Sequence, residues 1–237
     1  MYEQQTRPRR VRAETLDALD ADNPAAQRSR RDLRRLHRVM GTLSIVLGAL
    51  DVATARPPQR ILELGAGDGS LMLRLAQHRA MRWPGVAVTL LDRQSVIQPA
   101  ALAGLRAVGW TPSVVTADVF EWLQQPQAGQ WDMVLAHLFV HHFAPPELSR
   151  LFGAIAASTQ IFFCCEPRRS MVSLAGSYCV GLIGAGPVTR NDAVLSVHAG
   201  FHGRELTAAW PLVPGWQLDE YPARLFSHCL LARRSGG

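Results

Sequence analysis

Ile61-Leu62-Glu63-Leu64-Gly65-Ala66-Gly67-Asp68-Gly69-Ser70 is the stretch that decides the fold. It opens as a short apolar strand, Arg60 to Leu64, and runs straight into glycines at alternate positions. Glycine has no Cβ, so the chain turns sharply here and leaves its backbone open to a ligand. Leu71, Leu75 and Ala76 follow at helical spacing. The start of such a helix offers free N–H groups and the positive end of its dipole. Strand, glycine turn and helix together form the opening unit of an open parallel sheet, which binds its ligands at the carboxyl ends of the strands.

Outward from this unit the same alternation continues. Strands are predicted at Val86 to Leu91, Ser113 to Thr116, Trp131 to Ala136 and Ile161 to Cys165. Helices are predicted over Pro99 to Val108, Pro145 to Ser158, Asn191 to Ala199 and Arg204 to Trp210. Trp216 to Tyr221 and Leu225 to Ala232 close the chain as strands, and the short Pro222-Ala223-Arg224 link makes them an antiparallel pair. The expected architecture is α/β: a Rossmann-like, mostly parallel sheet of seven strands, helices on both faces and an antiparallel last strand.

Upstream, residues 1–56 are expected to be an exposed lead-in followed by a helical cap. Leu33, Leu36, Met40, Leu43, Leu47 and Leu50 share one face of the cap helix, which stops at Ala55-Arg56-Pro57-Pro58. Residues 57–237 are expected to form the main domain, with an insertion near 168–212.

Composition bounds the function. Charged residues make up 19% of the chain and hydrophobic ones 48%, which excludes wholesale disorder. The net charge of +6 is carried by arginine, a composition that suggests a GC-rich bacterial source. Cys164, Cys165, Cys179 and Cys229 have neither C-x-x-C spacing nor paired histidine ligands, so no metal site and no disulfide framework is expected. The N-terminus lacks the apolar core of a secretory signal, and Val39 to Leu50 is too short to span a bilayer. Ser170 to Thr189 is uncharged but carries four glycines and a proline. A cytoplasmic protein without a membrane partner is expected.

The glycine spacing bears on the kind of ligand. A dinucleotide fingerprint reads G-x-G-x-x-G; this turn reads G-x-G-x-G, with Glu63 two residues ahead of it, an acid suited to a cationic amino group rather than a phosphate. The E-x-G-x-G-x-G run resembles motif I of the class I S-adenosylmethionine-dependent methyltransferases, over roughly residues 57 to 233. That resemblance implies S-adenosyl-L-methionine as cofactor, held by Glu63, Gly65, Ala66, Gly67, Asp68 and Gly69. It also implies Asp92 and neighbouring Arg93 at the ribose, and Asp118 and the Val119 backbone at the adenine.

After the fourth strand the chain reads Ala136-His137-Leu138-Phe139-Val140-His141-His142-Phe143. In the family this position faces the methyl group. The chain lacks the Asn/Asp-Pro-Pro-aromatic motif of amine-methylating nucleic-acid enzymes, the Pro-Cys nucleophile of cytosine-C5 enzymes and the paired glutamates of arginine methyltransferases. It is similar instead to the small-molecule O- and C-methylating branch, where a His-His-Phe motif recurs. Histidine is suited to removing a phenol or enol proton, which nominates His142 first and His141 second as base. His137 is expected at the cofactor or in a structural role. Glu166 is expected to orient a histidine, to bind a substrate group or to pair with an arginine. Met171, Leu174, Tyr178 and Leu182 are expected to wall the pocket of a hydrophobic acceptor.

Arg28, Arg30, Arg31, Arg34, Arg35 and Arg38 raise RNA as an alternative acceptor. Without interleaved aromatics for base stacking, a solvated arginine face is the favoured reading. A non-catalytic cofactor-binding subunit is the remaining alternative. Oligomeric state is not legible.

Overall fold

A computed structural model describes residues 8–54, 56–125 and 131–235. Residues 1–7 of the expected lead-in and Ala55 of the expected helix stop lie outside the described residues. One sheet organises the chain: β1 (Arg60–Leu64), β2 (Ala87–Asp92), β3 (Thr111–Thr116), β4 (Trp131–His137), β5 (Thr159–Pro167), β6 (Trp216–Ala223) and β7 (Ser227–Arg234). The spatial order is β3-β2-β1-β4-β5-β7-β6. β3, β2, β1, β4 and β5 are parallel, whereas β7 is antiparallel to both β5 and β6. This is the predicted α/β architecture. The order reverses between β1 and β4, a switch point that opens a crevice at the strands' carboxyl ends.

Side chains alternate across a strand, so each strand feeds two cores. Ile61, Met133, Leu135 and Phe163 face α3 (Thr42–Ala53), α4 (Ser70–Arg79) and α5 (Pro99–Ala107). Leu62, Leu64, Val134 and Phe162 face α6 (Val119–Leu123), α7 (Pro145–Ser158) and α10 (Glu205–Ala209). β5 is longer than expected because its pairing with β7 continues to Pro167 opposite Ser227. Sequence reading missed α6, which is too short for periodicity to register. Asp118 starts it by accepting from Phe120 N at 2.8 Å and Glu121 N at 3.3 Å, a cap worth about 1 kcal/mol.

The cap differs from expectation. Two helices, α2 (Pro24–Met40) and α3, replace the single one, with a 58° bend between them. Gly41 makes the break at φ +69°, where the Arg224 guanidinium packs so closely that a Cβ would collide with it. The leucine stripe is thereby divided: Leu43 and Leu50 bury against the sheet, while Leu33 lines the cavity described below. Buried Asp32 ties α2 to α9 (Pro187–Ala199), accepting from Gly186 N at 2.7 Å and Thr189 Oγ1 at 3.2 Å.

The described part of the lead-in is no loose solvated segment. Arg9 donates to the carbonyls of Ala199 (2.7 Å), Phe143 (2.9 Å) and His141 (2.9 Å), with its guanidinium 4.4 Å from the Phe201 ring centre. The carboxylate of Asp192 on α9 accepts from Thr15 N and Leu16 N at 2.9 Å each, anchoring α1 (Thr15–Ala18). Charges that a sequence reading assigns to solvent are therefore inward fasteners. Among the described residues no single helix is long and apolar enough to cross a membrane.

Candidate active site

A cavity of about 740 Å³ lies at the carboxyl ends of β1, β2 and β4 and is partly roofed by residues 11–18. Its size falls within the ~300–1,000 Å³ typical of small-molecule and cofactor sites. Glu63, Gly65, Ala66, Gly67, Asp68, Asp92, Arg93, Asp118, Val119, His137, His141 and His142 all line it. Two nominated residues do not. Gly69 instead starts α4 at φ +76° beside Ala101, and Glu166 is fully buried behind the His-His turn. Met171, Leu174, Tyr178 and Leu182 also lie outside the lining; Tyr178 and Leu182 are 68% and 88% exposed. Their segment forms α8 (Met171–Cys179) and a 3-10 turn (Val180–Ile183), away from the pocket.

The glycine turn is built by backbone strain that only glycine relieves. Gly65 has φ +66° and carries the Phe139 ring where a Cβ would stand. Gly67 has φ +55° with open space on that side, and its N–H is donated to Asp92 Oδ2 at 2.8 Å. Gln94 N donates to the other Asp92 oxygen at 2.9 Å, so that carboxylate is fixed in direction. Burial raises its pKa despite these bonds. Asp68 Oδ1 accepts from Ser70 N at 3.0 Å, and the other oxygen pairs with Arg34 of α2.

Glu63 sits in an electrostatically unfavourable place. Its side chain is 3% exposed, and Oε2 has no hydrogen-bond partner. Burial, then the charges of Asp68 and Asp92, push its pKa up to about 8. A buried carboxylate without a donor fits a cationic ligand group that satisfies it. With Asp68, Asp92, Asp118, Glu14 and Asp17 it makes an acid-lined cavity in a chain of net charge +6. His37 and His137 meet edge to face above it, ring centres 4.5 Å apart. Burial lowers both, His37 to about 4, so both rings are neutral near pH 7.

Beyond β4, Leu138 takes the left-handed conformation, φ +50°, uncommon for a residue with a side chain and costly enough to mark functional turns. Glu166 braces this turn. Oε1 accepts from Phe139 N and Val140 N at 3.1 Å each; Oε2 accepts from His141 N at 3.3 Å and contacts His141 Nδ1 at 2.7 Å. His141 Nε2 is also engaged, 3.2 Å from Glu14 Oε1. Burial opposes its charge, but the two carboxylates prevail and push its pKa up to about 9. The same contacts hold Glu14 well below the usual carboxylate range. His142 differs: Nδ1 donates to Phe139 O at 3.0 Å, while buried Nε2 has no hydrogen-bond partner.

Sequence reasoning missed Glu14, Arg9 and Arg34. The arginine run marked Arg34's neighbourhood, but its direction depends on the bend at Gly41. Nothing local singled out Glu14, whose partners His141 and Ser196 lie 127 and 182 residues away. Cys164, Cys165 and Cys229 are buried, and all four cysteines are free.

No family model matches the chain. Ribosomal protein L11 methyltransferase of Rhodopseudomonas palustris (strain BisB5) is 33% identical over 146 residues, covering 56% of this chain and 48% of that protein. The chain thus aligns with about half the length of this curated relative. The plantazolicin methyltransferase BpumL in complex with SAH superposes with a TM-score of 0.65 at 11% identity, over 90% of this chain and 91% of that one. Magnesium protoporphyrin IX methyltransferase (ChlM) from Synechocystis PCC 6803 with bound SAH gives 0.53 at 19% identity, over 86% of each chain. Strand order, the E-x-G-x-G-x-G turn and these superpositions converge: the chain has the class I S-adenosylmethionine-dependent methyltransferase fold.

Proposed function

We propose that this chain is an enzyme that transfers a methyl group from S-adenosylmethionine to an oxygen, or an activated carbon, of a small hydrophobic or aromatic metabolite. The observation that carries the cofactor reading is Glu63, a buried carboxylate with a free oxygen at the glycine turn. Its natural complement is the cofactor's ammonium group. Arg34, paired with Asp68 beside the turn, supports a reading in which it meets the cofactor's carboxylate, with Asp92 and Asp118, which line the same cavity, assigned to its ribose and adenine. When bound, the cofactor supplies a methyl group on a cationic sulfur.

The acceptor reading rests on the other half of the cavity. Phe120, Phe139 and Phe143 pack edge to face with ring centres 5.2–5.3 Å apart, and Val11 and Leu16 face the same cavity from the roof. An apolar wall under a fastened roof suits a compact acceptor. BpumL and ChlM are named for plantazolicin and magnesium protoporphyrin IX, and the curated relative for a ribosomal protein, so the acceptor reading rests on the cavity wall. Arg30, Arg34 and Arg35 already have partners in Gln94, Asp68 and Asp32, which leaves less of the arginine face for RNA. Orientation provides much of the acceleration in an in-line displacement. The lone pair of His142 Nε2 is the group here that activates the acceptor oxygen, while Glu166 and His141 shape the turn.

Calorimetry with S-adenosylmethionine tests the cofactor half. Incubation with labelled cofactor and a metabolite extract, read by mass spectrometry, tests turnover. Absence of cofactor binding refutes the proposal. Binding without any methylated product favours the non-catalytic subunit.

A further inference from the structure

We propose that Glu14, His141 and His142 form a binding site for a divalent transition-metal cation of the zinc type, which in turn binds the acceptor's oxygen. One donor atom from each residue lies within 4.8 Å of the other two. Glu14 comes from the roof segment and the histidines from the turn beyond β4, so the cluster exists only in the closed fold. Two imidazoles and a carboxylate are a donor set that holds zinc with one coordination position open.

Three features separate this cluster from a chance ion pair. The spacing is close to that of shared ligands: His141 Nε2 lies 3.2 Å from Glu14 Oε1 and His142 Nε2 3.6 Å from the other oxygen, Oε2, with one donor per residue mutually within 4.8 Å. Ligands about 2.0–2.1 Å from a tetrahedral cation stand about 3.3 Å apart. Both rings are anchored through their other nitrogen, His141 Nδ1 on Glu166 Oε2 at 2.7 Å and His142 Nδ1 on Phe139 O at 3.0 Å. Such outer contacts fix which nitrogen faces a metal and raise its basicity. Finally, His142 Nε2 is buried without a hydrogen-bond partner, as an ion pair alone leaves it. Asp17 Oδ2, 3.9 Å from that nitrogen, adds a further oxygen nearby.

The site opens on the same cavity as Glu63 and Asp92, so its chemical role rests on the methyl-transfer reading, although the cation site itself does not. An acceptor hydroxyl bound to the cation loses its proton to water. Its oxygen then forms the O–C bond as the C–S bond of the sulfonium breaks, leaving S-adenosylhomocysteine and one proton. The His142 lone pair thus activates the acceptor through the cation.

The test uses the full chain, stripped with chelator and titrated with Co²⁺ by visible absorption and with Zn²⁺ by calorimetry. One cation per chain is expected. Glu166→Gln should weaken binding about 10–100-fold by releasing the His141 ring, and Glu14→Gln and His142→Ala should weaken it further. S-adenosylhomocysteine affinity, measured on each variant, reports an intact fold. Lack of saturable Co²⁺ and Zn²⁺ uptake by the wild type overturns the proposal, as does uptake undiminished in the Glu14 and His142 variants. Turnover should be lost in the stripped enzyme and return with Zn²⁺; full turnover without metal overturns the acceptor role. If S-adenosylhomocysteine fails to bind the wild type, the methyl-transfer reading falls while the cation result stands on its own.

Discussion

Replacing Glu63 by glutamine keeps the side chain's shape and removes its charge, and the effect should depend on pH. In the free protein the Glu63 carboxyl titrates at about 8, against an ordinary value of 4.5. Below pH 4.5 both folded and unfolded chains carry the proton and the group's stabilising term is fully present. As pH rises to 8 the unfolded chain ionises first, so folding loses stability steadily, and above pH 8 the loss is complete. At about 1.4 kcal/mol per pH unit, the gap between the two values corresponds to about 5 kcal/mol. Glutamine never ionises. The variant should therefore match the wild type near pH 5 and exceed its ligand-free stability at pH 9 by several kcal/mol. At roughly 2–4 °C per kcal/mol for a chain of this size, Tm should rise by at least about 6 °C. Cofactor should reverse the order at pH 9, stabilising the wild type far more than the variant. Scanning calorimetry at both pH values, with and without S-adenosylmethionine, measures all four states. A Tm difference independent of pH, or a variant less stable than the wild type at pH 9 without ligand, refutes the reasoning about this carboxylate.

Asp92→Ala removes the acceptor of Gly67 N as well as the proposed cofactor contact, and charged hydrogen bonds are worth about 1.5–3 kcal/mol each; calorimetry should show cofactor affinity lower by at least about tenfold. His142→Ala should slow methyl transfer about 10²–10⁴-fold with cofactor affinity unchanged, the range for losing an activating group, as read by single-turnover kinetics. Gly65→Ala places a Cβ on the Phe139 ring in a backbone region disfavoured for alanine; urea unfolding should show a loss of about 1–3 kcal/mol or more. Arg9→Ala breaks three bonds to carbonyls, and hydrogen exchange should show residues 11–18 opening far more often while the β1–β5 amides are unchanged.

The sheet was legible because it depends on local patterns. Short runs of four to eight residues, most of them separated by helical stretches, predicted every strand, and α7 lies where its proline start and apolar spacing put it. The acids at Glu63, Asp92 and Asp118 were legible for a related reason: each stands within a few residues of a strand end. What escaped reading depends on distant partners. Leu33 and Leu43 share a stripe in the sequence, yet one left-handed glycine sends them to different surfaces. Glu14 looks like any charged residue of a leader until the fold brings His141 and Ser196 against it. Ser170 to Thr189 misled in the opposite sense, because apolar composition reveals nothing about which way a helix faces, and Tyr178 and Leu182 face outward.

The fastening of the roof also bears on how the chain comes to be folded. Arg9 and Thr15 are made 190 and 177 residues ahead of the groups that catch them, Ala199 and Asp192. Contacts of such wide separation form late, after the loop between them has been drawn together by other structure. The glycine turn and the parallel strands β1–β5 therefore precede α9 in the chain, and the roof can be fastened over the crevice only once α9 has been made.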